Sequence, residues 1–123
     1  MDGQLVHFEL PAQDAGRAQE FWKSLFGWKI RTWDGPVEYH MLEGNEPGGA
    51  IYPDADAAGS GPVVYFSTSD IGASISKVRE LGGSADEEQP IPGIGWFARC
   101  VDTEGNPFSL FQADESAPAR DES

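Results

Sequence analysis

The amino-acid sequence predicts an α+β protein of one domain that contains two copies of a β-α-β-β-β module. Two observations lead to this fold class. Hydrophobic residues first alternate as in a strand, then recur with helical spacing, and then form further short strand-like runs. After a polar linker, the same order starts a second time. A chain of 123 residues is long enough for one hydrophobic core but too short for two independent domains.

The first module is predicted at about residues 4–53. Its first strand is the alternating run from Leu5 to Leu10, in which His7 and Glu9 share one face. Asp14 is a typical helix N-cap, and Gly27 is a typical helix stop. The apolar residues between these two signals predict one amphipathic helix. Three strands are predicted to follow, at residues 28–33, 37–42 and 48–52.

The second module is predicted at about residues 63–112, after a linker at residues 54–62 that is rich in small and polar residues. It again contains a strand, a helix with an Asp N-cap and a Gly stop, and three strands. Equivalent positions of the two modules are 56 residues apart, which predicts a duplication. The pairs are Asp14 and Asp70, Gly16 and Gly72, Leu25 and Leu81, and Gly27 and Gly83.

Composition restricts the class of protein. The 21 acidic and 8 basic residues give a net charge of −13, which repels nucleic-acid backbones and anionic lipid surfaces. No apolar run approaches the ~20 residues of a membrane span, and no secretory signal is visible. We therefore expect a soluble, cytoplasmic protein with no nucleic-acid or membrane partner. Residues 113–123 form an acidic tail that is expected to be disordered.

Cys100 is the only cysteine, so an intrachain disulfide and any site built on a cysteine pair are excluded. It is interpreted as a small core residue of a strand. Arg99 precedes it, but neighbouring strand residues point to opposite faces, so we do not expect Arg99 to activate the thiol.

Several motifs in order resemble the vicinal oxygen chelate superfamily, which includes glyoxalase I, bleomycin-binding resistance proteins, fosfomycin-modifying enzymes and ring-cleaving dioxygenases. The resemblance covers about residues 4–112. It implies two βαβββ modules whose mixed sheets curl around a ligand cleft. The motifs are Val6-His7-Phe8-Glu9-Leu10-Pro11, Phe21-Trp22, Leu25-Phe26-Gly27-Trp28, Gly48-Gly49-Ala50-Ile51-Tyr52-Pro53 and Asp102-Thr103-Glu104-Gly105-Asn106-Pro107-Phe108.

The resemblance also implies where metal ligands would lie, since metal-using members take one ligand from the first and the last strand of each module. In this sequence those positions fall on His7, on Val64, near Ile51 or Tyr52, and on Ser109. Only His7 is a good metal ligand, whereas catalytic metal sites generally need three protein ligands. We therefore predict that the metal site is largely lost and that no cofactor is bound.

A weaker alternative keeps a divalent metal on His7, Glu9 and His40. The competing interpretation of His7 is a cleft residue that hydrogen-bonds a ligand or Glu9. For His40, which shares a strand face with Glu38, the competing interpretation is an exposed surface position.

The remaining candidates are ligand-binding residues on or beside strands that would line the cleft. Aromatic walls with a few polar groups hold small planar molecules, although each ring could equally be a core residue. Residues 86–95 could form a flap over the cleft or an edge strand with an irregular loop. The predicted ligand-binding residues are His7, Glu9, Trp33, His40, Tyr52, Phe66, Trp96, Ser109 and Phe111.

Four hypotheses of function follow. The first is a binding protein for a small, partly aromatic, neutral or cationic molecule, without metal chemistry. The second is a metal-dependent lyase or isomerase of the glyoxalase type. The third is sequestration of a cationic antibiotic of the bleomycin type, and the fourth is a pure interaction module. The resemblance further implies a homodimer, with the modules paired within one chain or exchanged between chains.

Overall fold

The computed structural model describes residues 2–119 and separates them into two units. The first unit comprises residues 6–63, and the second comprises residues 2–5 together with 64–119. This division places the start of the chain with the second unit. Gly3 N–H donates to the Ser67 carbonyl at 2.8 Å, and Ser67 N–H donates to the Gln4 carbonyl at 2.9 Å.

The first unit has the predicted strand, helix and three strands. They are β1 (Leu5–Ala12), α1 (Ala15–Phe26), β2 (Ile30–Thr32), β3 (His40–Leu42) and β4 (Gly48–Pro53). The strand order is β2-β3-β4-β1. Strand β3 is antiparallel to both neighbours, and β1 is parallel to β4.

Helix α1 begins and ends at the predicted residues. The Asp14 carboxylate accepts a hydrogen bond from the Arg17 N–H at 3.0 Å. Gly27 ends the helix in the left-handed conformation, with φ of 69°. The core beneath the helix is made of Ala12, Ala15 and Ile51, with Leu10, Ala18, Trp22 and Ile30 packed against it.

The second unit repeats the order with one interruption. Its elements are β5 (Val63–Ser67), α2 (Ile71–Glu80), β6 (Ser84–Ala85), β7 (Gln89–Ile91), β8 (Gly95–Val101) and β9 (Pro107–Ala113). Both β6 and β7 pair antiparallel with β8, so they form one interrupted strand of the module. Strand β9 lies between β8 and β5 and is parallel to β5. The predicted α+β fold with two βαβββ modules is confirmed.

The core of the second unit lies between α2 and one face of its sheet. Cys100 is 4% exposed in this core, as predicted, whereas Arg99 is exposed. Burial, together with the nearby Asp86 carboxylate, raises the pKa of the Cys100 thiol to about 11. The core residues are Ile71, Ile75, Ala98, Cys100 and Leu110.

Segment 86–95 is an edge strand and a turn, which settles the two alternatives for this region. Strand β7 pairs with β8, and the turn that follows is fixed by hydrogen bonds to the segment after β9. Gly93 N–H donates to the Ala117 carbonyl at 3.0 Å, and Asp114 N–H donates to the Ile94 carbonyl at 2.9 Å. The strand pairing and these hydrogen bonds match the second alternative, an edge strand with an irregular loop.

The same hydrogen bonds hold residues of the segment 113–119 in place, so the predicted disorder of residues 113–123 is wrong for this segment. Ala113 is the last residue of β9, and Ala117 is 6% exposed. The short apolar side chain of Ala117 is buried because its backbone pairs with Gly93. Residues 120–123, also part of that prediction, lie outside the described residues. Within residues 2–119, neither helix is long and apolar enough to cross a lipid bilayer.

Candidate functional site

The polar residues of β1 meet an aromatic residue that the sequence analysis did not select. In β1, His7 and Glu9 share the face opposite Leu10, and the β1–β4 register places them beside Gly48 and Ala50. The β3–β4 register places Met41 beside Ala50. Tyr39, two residues before Met41, projects on the same face and reaches both polar residues.

Tyr39 joins His7 to Glu9 through two short hydrogen bonds. Its hydroxyl donates to Glu9 Oε2 at 2.6 Å, and its oxygen lies 2.6 Å from His7 Nε2. Because the single hydroxyl proton is used on the carboxylate, His7 Nε2 must carry a proton and donate it to the Tyr39 oxygen. We call these three residues the His7–Tyr39–Glu9 triad.

Glu9 is the buried member of the triad, whereas His7 and Tyr39 are half-buried. Glu9 is 6% exposed, and a buried carboxylate requires hydrogen-bond donors such as the Tyr39 hydroxyl. Burial also lowers the pKa of His7 from 6.5 to about 4, so its imidazole is neutral near pH 7. A neutral His7 is consistent with a single N–H on Nε2.

Aromatic rings surround the Tyr39 ring. The His7 and Tyr39 rings are 6.0 Å apart with their planes at 20°, and Trp33 meets Tyr39 edge-on at 6.1 Å. Tyr52, which is 9% exposed, lies 6.2 Å from Tyr39. Of the predicted ligand-binding residues, His7, Glu9, Trp33 and Tyr52 are therefore brought together, with Tyr39 at their centre.

His40 does not join this group. It pairs with Ile51 in the β3–β4 register, so it lies on the opposite face of the sheet from His7 and Glu9. The predicted exposed position of His40 is wrong, because His40 is 8% exposed. Its Nε2 lies 2.8 Å from Glu38 Oε2, and its Nδ1 lies 3.1 Å from the Thr32 hydroxyl.

The weak metal hypothesis on His7, Glu9 and His40 therefore fails on geometry, since the three side chains do not share a face. No group of three or more potential metal ligands occurs among residues 2–119. These observations describe only the metal-ligating side chains that residues 2–119 supply.

The candidates of the second unit separate onto two faces of its sheet. The Phe66–Leu110 pairing places Phe66 on the α2 side, where its ring meets Phe108 at 6.1 Å. Trp96 packs against the same core and donates from Nε1 to Asp114 Oδ2 at 3.1 Å. Both rings are half-buried and lie on the α2 side of the sheet, and their ligand-binding role stays a prediction.

Ser109 and Phe111 lie on the other face of that sheet, together with Tyr65 and Arg99. Ser109 is 1% exposed, and its hydroxyl has no hydrogen-bond partner among the described residues. A buried hydroxyl without a partner is uncommon and marks a position where a ligand group or an ordered water would be stabilised. Ser109 thus stays a candidate contact on the second unit.

Tyr39 was missed because the sequence analysis followed the face of Glu38 and His40 along the third strand. The informative signal was the alternation itself. Tyr39 lies between two polar residues that face away from the triad, so alternation together with the observed β1–β4–β3 pairing places it on the side of His7 and Glu9.

Comparisons with known proteins agree with this fold and with the sequence motifs. The family model described as bleomycin resistance protein-like N-terminal matches residues 4–45. A glyoxylase-like domain-containing protein of Didymella fabae is 29% identical over 120 residues, covering 89% of this chain and 94% of that protein.

Two solved structures share the fold at low sequence identity. Methylmalonyl-CoA epimerase from Mycobacterium tuberculosis is 17% identical with a TM-score of 0.64, covering 91% of this chain and 88% of the epimerase. A hypothetical protein from Bacillus halodurans C-125 is 16% identical with a TM-score of 0.68, covering 94% and 97%. The chain is therefore similar in sequence to bleomycin resistance-like and glyoxylase-like proteins, and it shares the fold of these two solved structures.

Proposed function

We propose that this chain binds a small, partly aromatic molecule on the face of the first unit that carries the His7–Tyr39–Glu9 triad, without using a divalent metal. The position of the Tyr39 hydroxyl, 2.6 Å from both His7 Nε2 and Glu9 Oε2, carries the proposal. The Tyr39 hydroxyl hydrogen-bonds to the His7 nitrogen and the Glu9 oxygen that would otherwise be available to a metal ion. The similarity of residues 4–45 to the bleomycin resistance protein-like family model supports the same function.

The chemistry of the face favours a neutral or cationic ligand. The Glu9 carboxylate supplies a buried negative charge, and the rings of Trp33, Tyr39 and Tyr52 offer planar contacts. The net charge of −13 attracts cations at long range and repels anions. We therefore expect a polyanionic coenzyme A thioester, the kind of molecule that gives the epimerase its name, to bind worse than a neutral planar compound.

A thermal-shift screen tests this proposal. Neutral, cationic and anionic planar compounds would be added to the wild-type protein and to Tyr39→Phe, each with and without Mg²⁺, Mn²⁺, Ni²⁺ or Zn²⁺. A ligand of the native state raises the melting temperature. We expect neutral or cationic hits that do not depend on metal and that weaken in Tyr39→Phe.

Thr32→Val is the matched control, because it removes the hydroxyl that contacts the other histidine on the opposite face. It should leave ligand binding unchanged. Hits that appear only with a metal, together with stoichiometric metal in protein purified without chelator, would replace the proposal with a metal-dependent lyase or isomerase.

Sequestration of a cationic antibiotic is a second candidate. The matching bleomycin resistance-like family model covers residues 4–45, which include all three members of the triad. Titration with a bleomycin-type glycopeptide should then show tight binding that weakens as salt rises. If the titration shows no binding, antibiotic sequestration is ruled out, and the proposal of metal-independent binding of a small, partly aromatic molecule is unaffected.

We also propose a homodimer, which the family resemblance implies, in which a second subunit covers edge strands of the sheets. Edge strands include β2 in the first unit and β6 and β7 in the second. Light scattering coupled to size-exclusion chromatography measures the mass directly, and a monomer at ~100 μM would contradict this part of the proposal.

A further inference from the structure

Helix α1 leaves a large apolar surface uncovered. Its apolar stripe was expected to be buried, yet Ala15 is the one buried residue of the helix. Phe21, Leu25 and Phe26 are 59%, 55% and 61% exposed, and we call these three residues the α1 apolar patch. Contiguous exposed apolar surface of this kind usually marks an interaction site.

Neighbouring rings hold the patch in a fixed arrangement. Trp22 stacks on Trp28 with centroids 4.8 Å apart and planes at 12°. The Phe26 ring stacks on Trp22 with centroids 5.9 Å apart, and the Phe21 ring meets Trp22 edge-on with centroids 5.1 Å apart. Because these side chains are already ordered by one another, a partner would lose little rotamer freedom on docking.

A groove adjoins the patch within the same unit. It has a volume of about 510 Å³, and Ala18, Phe21, Ala58 and Gly59 contribute to its walls together with Arg17. Its lining combines small side chains, the Phe21 ring and the polar side chains of Gln13, Asp14 and Arg17, so it offers an apolar side chain of a partner a place beside the patch.

The segment that contains the patch carries a charge opposite to that of the rest of the chain. Residues 15–32 contain Arg17, Lys23, Lys29 and Arg31 but only Glu20, a sum of +4 − 1 = +3. The remaining residues therefore carry −13 − 3 = −16. Thus half of the eight basic residues lie in this one segment.

Three of these four cations have no ion pair among the described residues. Arg31 pairs with Glu43 at 3.4 Å, whereas Arg17, Lys23 and Lys29 have no carboxylate partner in the part of the chain that is described. Asp14 faces the same end of the helix, but its carboxylate accepts the Arg17 backbone N–H as the helix cap.

We infer that the α1 apolar patch and its surrounding cations bind an acidic protein segment that carries apolar anchor side chains. Charge complementarity selects this occupant. Two copies meeting patch to patch would oppose like charges, which is unfavourable. An anionic membrane would also face the acidic remainder of the chain, whereas a short segment senses the local charge within a Debye length of ~8 Å.

The probe is a fluorescein-labelled 15-residue peptide with Leu and Trp at helical i, i+4 spacing and Glu at the other positions. Its counterpart has Lys at every Glu position. By fluorescence anisotropy at physiological salt, we expect the Glu peptide to bind at least ~10-fold more tightly than the Lys peptide. We also expect its affinity to fall as salt rises. No binding of the Glu peptide, or equal binding of both peptides, would overturn the inference.

Two variants locate the site. Phe21→Gln with Phe26→Gln removes exposed rings, so the fold should persist, and far-UV circular dichroism checks this. Loss of two anchor contacts should weaken the Glu peptide ~10-fold or more. Lys23→Glu with Lys29→Glu should abolish the preference for the Glu peptide while leaving the rings in place. Unchanged binding in either variant would contradict the inference.

Leu81→Gln is the matched control. Leu81 is the equivalent of Leu25 in the second module and is 67% exposed, but it lies at the C-cap of α2 in the second unit. Its replacement should change peptide affinity less than twofold. Two further outcomes would overturn the inference in favour of another occupant. One is a wild-type dimer that becomes monomeric in Phe21→Gln with Phe26→Gln, and the other is binding to anionic vesicles that exceeds binding to the peptide.

Discussion

The Tyr39 hydroxyl lies 2.6 Å from His7 Nε2, at the position of β1 where the family resemblance implies a metal ligand. The same hydroxyl donates to Glu9 Oε2 at 2.6 Å, so Tyr39 hydrogen-bonds to both polar side chains on this face of β1. A tyrosine that bridges a histidine and a buried carboxylate forms a connected, part-buried hydrogen-bond network on this face of the sheet.

Tyr39→Phe should destabilise the protein by about 1–3 kcal/mol. The substitution keeps the ring and its aromatic contacts but removes two hydrogen bonds, one of them to a buried carboxylate. Urea denaturation of the variant and the wild-type protein measures this difference. The control Thr32→Val removes the hydroxyl of an exposed residue, and its loss of unfolding free energy should be clearly smaller than that of Tyr39→Phe. Equal stability of Tyr39→Phe and wild type would contradict the network.

The free energy of unfolding should fall as pH decreases from about 6.5 toward 4 because of His7. The native state holds the pKa of His7 near 4, below its unfolded value of 6.5, so the unfolded state binds more protons in this range. Stability is therefore full above pH 6.5, and His7 should account for a loss of about 2 kcal/mol by pH 5.

His7→Gln isolates this contribution, since an amide N–H can still donate to Tyr39 but does not titrate. The difference between the wild-type and variant stability curves should change between pH 6.5 and 4.5 with the sign just given. Parallel curves would show that His7 is not desolvated in the folded protein.

Ser109→Ala should leave stability unchanged or raise it by up to ~1 kcal/mol, because the buried hydroxyl has no partner among the described residues. Thermal denaturation without ligand measures this. A ligand that contacts Ser109 should bind more weakly to the variant despite its unimpaired fold. A destabilisation above ~1.5 kcal/mol would instead show that the hydroxyl already has a structural partner.

Gly95→Ala should destabilise the second unit by more than ~2 kcal/mol, because an added Cβ would lie 2.2 Å from the Gln112 carbonyl and 3.0 Å from the Phe111 ring. Gly72→Ala, within α2, has 3.7 Å of clearance from Asp70 and should gain about 0.5–1 kcal/mol. Chemical denaturation compares the two variants, and equal effects would contradict the close approach at Gly95.

The fold followed from the sequence because its signals are local. The caps at Asp14 and Asp70, the stop at Gly27 and the strand alternation each depend on residues a few positions apart. The ordered segment at residues 113–119 was not foreseen because its order depends on the pairing of Ala117 with distant Gly93. Composition alone does not report such contacts.

Only part of the site was predicted, because the rest again depends on contacts between residues that are far apart in the sequence. His7 and Glu9 were placed on one face by alternation within a single strand, whereas their partner Tyr39 is some 30 residues away and is brought there by the register of β3 and β4. Phe66 and Trp96 were assigned to the ligand side because aromatic identity does not report which sheet face a ring occupies; strand pairing places both on the α2 side.

The protonation of His7 Nε2 tests the metal-independent triad most directly. Because the chain has only two histidines, ¹⁵N NMR of the imidazole nitrogens resolves His7 with His40 as an internal reference. At pH 7 the triad predicts a neutral His7 with its proton on Nε2, unchanged when Zn²⁺, Ni²⁺ or Mg²⁺ is added. Loss of that proton with stoichiometric metal uptake, or a proton on Nδ1 alone in the free protein, would contradict it.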